Sequence, residues 1–262
     1  AGINDNFFEL GGHSLLAMRV VYTNRKELEV EVAVKDLFVH PTIAAFAAHL
    51  ATQNEGLLLP SIDVQPRPAH IPLSFSQERL WFIDRLEGSI QYHIPGVLKL
   101  KGDINREALG NALKTIVNRH EVLRTVYREE SGTPYQFIKE SMDWQLSVVD
   151  ATKFKQTSRA IQQSIKELIN KPFDLKSDYM FRASLVTINE FEYQLVITMH
   201  HIATDAWSFP IIIKELTEFY ASYLSDRPAS LPQLSIQYAD YALWQRNYLG
   251  GKVLERKINY WK

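Results

Sequence analysis

Residues 193–208 read Tyr193-Gln194-Leu195-Val196-Ile197-Thr198-Met199-His200-His201-Ile202-Ala203-Thr204-Asp205-Ala206-Trp207-Ser208. The run Leu195-Val196-Ile197-Thr198-Met199 is short, apolar and rich in β-branched side chains, and reads as a β-strand. It ends in two adjacent imidazoles. If the strand persists to its end, His200 and His201 point to opposite faces. They then cannot ligate one metal from the same side, and no other His, Asp or Glu cluster offers the missing ligands, so no metal site is expected. Spacing alone favours a pair of core histidines with satisfied hydrogen bonds. The alternative gives one imidazole a proton to handle, which suits a group with an ordinary pKa of about 6.5.

Outward from this run, helix-like and strand-like stretches alternate. Strands are expected at Gly96–Lys101, Val122–Arg128, Tyr135–Lys139, Leu146–Val149, Phe181–Ile188 and Tyr193–His200. Helices are expected at Ser76–Leu86, Asn105–Val117, Ser158–Asn170, Pro210–Leu224 and Ile236–Tyr248. Glu129-Glu130-Ser131-Gly132-Thr133 and Asn189-Glu190-Phe191-Glu192 are turn-rich separators of the kind found in hairpins. Residues 72–262 therefore read as one layered α/β or α+β domain. Within it, the aromatic stretch Trp207–Tyr223 reads as an amphipathic core helix. The charged run Arg119-His120-Glu121 with Arg124 reads as a salt-bridged structural patch. Glu9 and Asp240 have no spacing that points to paired-carboxylate chemistry.

Composition changes sharply once, over residues 55–71, which hold three of the eleven prolines and show no helical period. Proline biases its predecessor away from helix, so the segment reads as an extended linker. Fully stretched it reaches at most about 60 Å, and as a flexible coil about 20–25 Å. Ahead of it, residues 1–54 read as helical. One helix opens at Ser14, carrying Leu15, Leu16, Met18, Val20 and Val21. A short one spans about Val32–Phe38, and a third, Ile43–Leu50, starts behind Pro41-Thr42. So few residues make a small core, and a missing first helix is expected.

With 29 Lys+Arg against 30 Asp+Glu, the 262-residue chain has a formal charge of −1. That balance excludes the basic excess that nucleic acid or an anionic membrane selects, so neither is an expected partner. Hydrophobic residues at 46% suffice for ordinary cores, and no apolar run approaches the roughly 18 residues of a membrane span. There is no cysteine, which excludes disulfides, cysteine-ligated zinc and a cysteine nucleophile. Any thioester chemistry must use a thiol brought in from outside. The opening Ala1-Gly2-Ile3-Asn4-Asp5 has neither a basic n-region nor an apolar h-region, and a cytoplasmic location is expected.

The helix at Ser14 follows Asp5-Asn6-Phe7-Phe8-Glu9-Leu10-Gly11-Gly12-His13. Two glycines ahead of a serine remove side chains and let the hydroxyl project from a loop. Helix N-termini also favour phosphate. The plainer physical reading is that Ser14 caps the helix, a role worth about 1 kcal/mol over alanine. The stretch Asp5 to Leu15 resembles the acceptor motif of peptidyl carrier (thiolation) domains of nonribosomal peptide synthetases. That resemblance implies a small all-α helical bundle with a 4′-phosphopantetheine arm on Ser14, attached by a phosphopantetheinyl transferase. The form Gly11-Gly12-His13-Ser14 resembles carriers that do not feed an epimerisation domain.

His200-His201-Ile202-Ala203-Thr204-Asp205 in turn resembles the His-His-x-x-x-Asp signature of condensation domains, within the chloramphenicol-acetyltransferase-like superfamily. Three further stretches agree: Leu73-Ser74-Phe75-Ser76-Gln77-Glu78-Arg79-Leu80-Trp81-Phe82, Arg119-His120-Glu121-Val122-Leu123-Arg124-Thr125 and Tyr238-Ala239-Asp240-Tyr241-Ala242-Leu243-Trp244. The resemblance implies a catalytic set of His201, His200 and Asp205. In it His201 orients or deprotonates an acceptor amine attacking a donor thioester. His200 packs and hydrogen-bonds, and Asp205 is structural, its carboxylate held by an arginine such as Arg124. Glycine usually follows the aspartate in that family; here it is Ala206, which would be strained if the position required a positive φ. Arg79-Leu80-Trp81-Phe82 resembles the subtype accepting a donor chain that ends in an L-residue. Heterocyclisation domains replace the first histidine and oxygenase-recruiting relatives lose the second; this chain keeps both.

The implied organisation is a carrier domain at 1–54, a linker at 55–71 and one lobe of a two-lobed condensation domain at 72–262. The implied partners are an upstream adenylation domain, a downstream carrier and aminoacyl or peptidyl thioester substrates. The expected activity is amide bond formation. Because the active site of the family lies between two lobes, the alternative expectation is that these residues alone act as a non-catalytic carrier and interaction module.

Overall fold

The computed structural model describes residues 2–28, 30, 32–52, 60–140, 143–153 and 158–261. Residues 55–59 of the expected linker lie outside them. The chain divides into two units, Ala1–Ser61 and Ile62–Lys262.

The first unit holds helices α1 (Ser14–Leu28), α2 (Val34–Val39) and α3 (Ile43–Thr52). Its core is Ala17, Val32, Leu37 and Phe46, with Phe7, Val20, Val30, Val34 and Leu50 packed around them. Thr42 Oγ1 accepts the Ala45 N–H at 3.1 Å and so caps α3 behind Pro41. The Phe7 N–H donates to the Pro41 carbonyl at 2.8 Å, tying the loop before α1 to the start of α3.

The second unit contains β1 (Ile71–Pro72), α4 (Phe75–Glu87), β2 (His93–Lys101), α5 (Arg106–Arg119), β3 (Thr125–Glu130), β4 (Thr133–Ile138), β5 (Ser147–Asp150), α6 (Ser158–Asn170), β6 (Phe181–Asn189), β7 (Glu192–His200), α7 (Ser208–Ser225), α8 (Tyr238–Tyr248) and α9 (Gly251–Trp261). A four-stranded sheet has the order β2-β7-β6-β5, and a three-stranded one the order β1-β4-β3. β7 pairs antiparallel with β2 and β6, whereas β5 and β6 run parallel and are joined through α6. A parallel pair needs such a crossover, which gives the domain its α/β character. Among the described residues no helix is long and apolar enough to cross a membrane.

Alternation along β6 and β7 explains both layers. Phe181, Ala183, Leu185, Leu195, Ile197 and Met199 meet Leu109, Leu113 and Ile116 of α5 and Ile212 and Leu216 of α7. On the other face Val186 and Val196 meet Ile161, Ile165 and Leu168 of α6. β7 is thus buried on both sides, as its unbroken apolar run requires.

Several elements differ from the sequence reading, most by a few residues at their ends. The expected strand Val122–Arg128 is a single 3₁₀ turn over Glu121–Arg124, and the strand begins only at Thr125. There the Leu123 carbonyl accepts from Met180 and the Arg124 carbonyl from Lys139, so the turn is held from outside by elements distant in sequence. The short β1 and the helix α9 had no expected counterpart. Residues 62–70 carry no helix or strand, yet the Gln65 N–H donates to Asp240 at 3.1 Å, and Arg67 reaches both Glu121 at 3.1 Å and Asp240 at 3.2 Å. This arm therefore belongs to the second unit. The patch around Arg119 and His120 is structural: both bind the buried carboxylate of Glu215 on α7, at 3.0 and 2.7 Å.

Candidate functional site

In the first unit, Ser14 is the first residue of α1. The Ala17 N–H donates to the His13 carbonyl at 2.9 Å, so His13 holds the capping position and Ser14 lies inside the first turn. The Ser14 side chain is exposed, and among the described residues its hydroxyl has no hydrogen-bond partner. A plain helix cap is therefore not its role. The two glycines ahead of it do different jobs. Gly11 has φ +94°, a backbone that L side chains rarely adopt. At Gly12 a Cβ would stand 2.4 Å from the Phe7 ring and the Phe7 carbonyl, so only glycine permits the close approach that the Gly12 N–H to Phe7 O bond of 2.9 Å requires. An exposed, unpartnered hydroxyl at the N-terminus of a fifteen-residue helix fits attachment of a phosphodiester-linked group.

In the second unit the strand β7 ends at His200, opposite His93 of β2. His200 is fully buried. Its Nδ1 accepts the Ile202 N–H at 3.0 Å, so the proton sits on Nε2 and is donated to Ser89 Oγ at 2.8 Å. The Ser89 hydroxyl then donates to the Asp84 carboxylate on α4. Burial, reinforced by the neighbouring His93, His201 and Arg182, pushes the His200 pKa down to about 3. His200 is neutral and does not titrate near neutral pH.

His201 differs in every respect. Its ring is exposed. Its N–H donates to the Tyr92 carbonyl at 2.9 Å, and Nδ1 lies 2.7 Å from the Thr204 carbonyl. A carbonyl can only accept, so Nδ1 carries the proton and Nε2 keeps a lone pair. Thr204 is itself fixed, its hydroxyl donating to the His200 carbonyl at 3.0 Å. The arrangement is that of an imidazole oriented from behind and free at the front to accept a proton.

Asp205 is exposed, and Oδ1 accepts from the Trp207 N–H at 3.1 Å, the Ser208 N–H at 3.0 Å and the Ser208 hydroxyl at 2.8 Å. It closes the turn that leads into α7. The expected Arg124–Asp205 pair is not formed: the Arg124 guanidinium donates to the Lys139 carbonyl and lies 3.9 Å from Glu121. A solvated carboxylate with three local donors needs no buried cation, which is why the expectation failed. Ala206 is unstrained, because Ser131 and Asp226 are the non-glycine residues with positive φ among those described. Sequence reasoning missed Ser89, Asp84 and Tyr92; Asp84 comes from the last turns of α4 and the other two from the α4–β2 connection, with Ser89 111 positions from His200, and none carries a local signal. A cavity of about 260 Å³ lined by Trp144, Tyr179, Arg182 and Thr198 contains neither His201 nor Asp205.

Residues 68–262 match the family model described as condensation domain, and residues 1–50 match that described as phosphopantetheine attachment site. The chain belongs to the condensation-domain family. It also carries a segment for covalent attachment of 4′-phosphopantetheine. It is 40% identical over its full length to one of the linear gramicidin synthase polypeptides of Brevibacillus parabrevis, spanning 3% of that protein. It is 38% identical over its full length to the dimodular nonribosomal peptide synthase of Bacillus subtilis (strain 168), spanning 11% of it. Among solved structures, the X-domain from teicoplanin biosynthesis superimposes with a TM-score of 0.70 at 29% identity, covering 77% of this chain and 44% of the other. The chain therefore spans a small part of its synthetase relatives and somewhat under half of that X-domain chain.

Proposed function

We propose that this chain is a carrier–condensation segment of a nonribosomal peptide synthetase, that Ser14 bears the phosphopantetheine, and that His201 serves amide bond formation in the condensation domain. When attached, 4′-phosphopantetheine supplies the thiol that holds an acyl group as a thioester, which a cysteine-free chain lacks. Gly11 and Gly12 keep the loop before Ser14 clear, and the N–H groups of the first turn of α1 would hold the phosphate of the attached arm. His201 Nε2 accepts the proton that the acceptor amine loses as its carbon–nitrogen bond forms and the carbon–sulfur bond of the donor breaks. Thr204 holds Nδ1, so the ring presents Nε2 without reorganising. Asp205 shapes the turn behind the ring. An upstream adenylation domain, a downstream carrier and a donor ending in an L-residue complete the reading.

The observation that carries the proposal is the contrast between the two histidines: one buried and saturated with hydrogen bonds, the other exposed with a single nitrogen free. The test has two arms. Incubation with a phosphopantetheinyl transferase and coenzyme A adds one phosphopantetheine to the parent, read by intact mass, and none to Ser14→Ala. In the longer synthetase, with both carriers loaded, His201→Ala loses about 10²- to 10⁴-fold in amide formation, the range of a general base. A Ser14→Ala protein that still gains mass, or a His201→Ala protein that keeps its rate, overturns the corresponding assignment. The 262 residues alone form no peptide bond in the same assay; product from them overturns that part of the reading.

A further inference from the structure

The hydroxyl of Ser89 and the carboxylate of Asp84 do not touch His201, yet they hold the ring of His200, which bonds the backbone on the far side of His201. His200 Nε2 donates to Ser89 Oγ at 2.8 Å, and Ser89 donates on to Asp84. With that proton committed, His200 Nδ1 is free to accept the Ile202 N–H at 3.0 Å, which sets the peptide following His201. By a second route, the Ser89 carbonyl accepts the Tyr92 N–H at 2.9 Å, and the Tyr92 carbonyl accepts the His201 N–H at 2.9 Å, which sets the peptide preceding it. Ser89 is 4% exposed, so its hydroxyl has no exchange with bulk water to fall back on. Asp84 sits near the end of α4, where the helix carbonyl of the same residue is already capped by the Gly88 N–H at 3.0 Å.

We infer that Ser89 and Asp84 are positioning residues for His201, acting through the tautomer of His200. The inference rests on the reading of His201 as the active imidazole, and it fixes which proton goes where. Asp84 accepts from Ser89, Ser89 accepts from His200 Nε2, and His200 Nδ1 accepts from the backbone. Remove the Ser89 oxygen and the His200 Nε2–H has no acceptor. The ring then turns or changes tautomer, Nδ1 no longer accepts from Ile202, and the His201 ring is displaced. A displacement of about 1 Å from a reacting geometry lowers rates by about a hundredfold.

Two measurements test this, one of them independent of activity. Imidazole ¹H–¹⁵N spectra of the 262-residue chain show His200 protonated at Nε2 and His201 at Nδ1. In Ser89→Ala the His200 pattern is lost and the His201 Nδ1–H signal weakens. In the longer synthetase, Ser89→Ala lowers kcat about ten- to a hundredfold with KM for the loaded carrier within twofold, and Ser89→Thr restores kcat to within about threefold. Asp84→Leu takes away the acceptor that holds the Ser89 hydroxyl towards His200, so the hydroxyl turns and kcat falls in the same direction as in Ser89→Ala; Asp84→Asn, which keeps an acceptor oxygen, behaves as the parent. Asp84 is only half-buried, so this pair decides the matter should Ser89→Ala not fold. Parental kcat in both Ser89→Ala and Asp84→Leu, or parental spectra in either, overturns the inference. If His201→Ala keeps its rate, the active-imidazole reading fails instead, and the relay is judged on the spectra alone.

Discussion

Burying His200 as a neutral ring predicts that the second unit loses stability as the pH falls into mild acid. The folded pKa is about 3, against an ordinary value of 6.5. Above pH 6.5 both folded and unfolded chains carry a neutral ring and nothing is lost. Below it the unfolded chain binds a proton that the folded one refuses until the pH approaches 3, so unfolding becomes easier as the pH falls through that window. Each pH unit there is worth about 1.4 kcal/mol, so about 3 kcal/mol is lost by pH 4.5 and about 4 kcal/mol by pH 3. The comparison protein is His200→Asn, whose Oδ1 can take the Ile202 N–H but which does not titrate. It lacks the bond to Ser89 and starts about 1–3 kcal/mol less stable at pH 7. All five tryptophans lie beyond residue 61, so denaturant unfolding followed by tryptophan fluorescence reports on the second unit. The acidic groups titrate in both proteins and cancel in the difference, while His93, held low by burial, stays neutral over most of this window. The stability of the parent relative to the variant falls by about 3 kcal/mol between pH 7 and 4.5. A gap that stays constant to within about 0.5 kcal/mol refutes the reasoning, because it means that His200 is protonated as readily in the fold as in the unfolded chain.

Other perturbations address single contacts. Gly12→Ala forces a methyl to within 2.4 Å of the Phe7 ring and carbonyl; phosphopantetheine loading measured by intact mass falls, while tryptophan-monitored unfolding does not change. Gly96→Ala places a methyl 2.1 Å from the Phe209 ring, lowering stability by about 1–3 kcal/mol, and Phe209→Leu in the same chain recovers part of that loss in urea unfolding. Glu215→Gln leaves Arg119 and His120 without their carboxylate and lowers stability by about 3 kcal/mol at pH 7. Burial pushes the Glu215 carboxyl up, but His120 and Arg119 together hold it below the usual carboxylate range. Its contribution is therefore complete above about pH 4.5 and fades as the pH drops through the lower folded value, so parent and Glu215→Gln converge in strong acid.

How much of this was written in the sequence depends on how local each feature is. The span Ser158–Asn170 of α6 and the hairpin turn at Asn189–Glu192 follow from amphipathic period, alternation and turn residues, all of which act over a few positions. The β3–β4 turn, with Ser131 at φ +49° and Gly132 at φ +80°, is legible for the same reason. The 3₁₀ turn at Glu121–Arg124 is not, because its carbonyls are satisfied by Met180 and Lys139. The same division runs through the candidate site. The double histidine and the aspartate are visible as a motif, whereas the sequence points to a distant arginine as the partner of Asp205 and Ser208, three residues on, supplies it. A rule that buried charges need buried partners misled here only because Asp205 is exposed, and exposure is not something spacing reveals.

The adjacency of the two histidines has a physical reason that neither residue alone discloses. A strand covered on both faces must bury whatever side chain stands at its last paired position, and on β7 that is His200. A buried imidazole is tolerated only if both nitrogens are bonded. One nitrogen is satisfied locally, by the Ile202 N–H across the turn, and the other must be satisfied from another element, which Ser89 does. The Ile202 bond, with that from the His201 N–H to the Tyr92 carbonyl, immobilises the backbone on either side of the next residue, and that residue, being one step on, leaves the sheet and meets solvent. Placing His201 two positions later would put it beyond the Ile202 bond, and placing it two earlier would return it to the core. Immediate succession is the arrangement in which a fixed backbone and an exposed ring coincide, so His200 contributes rigidity and His201 contributes the free nitrogen.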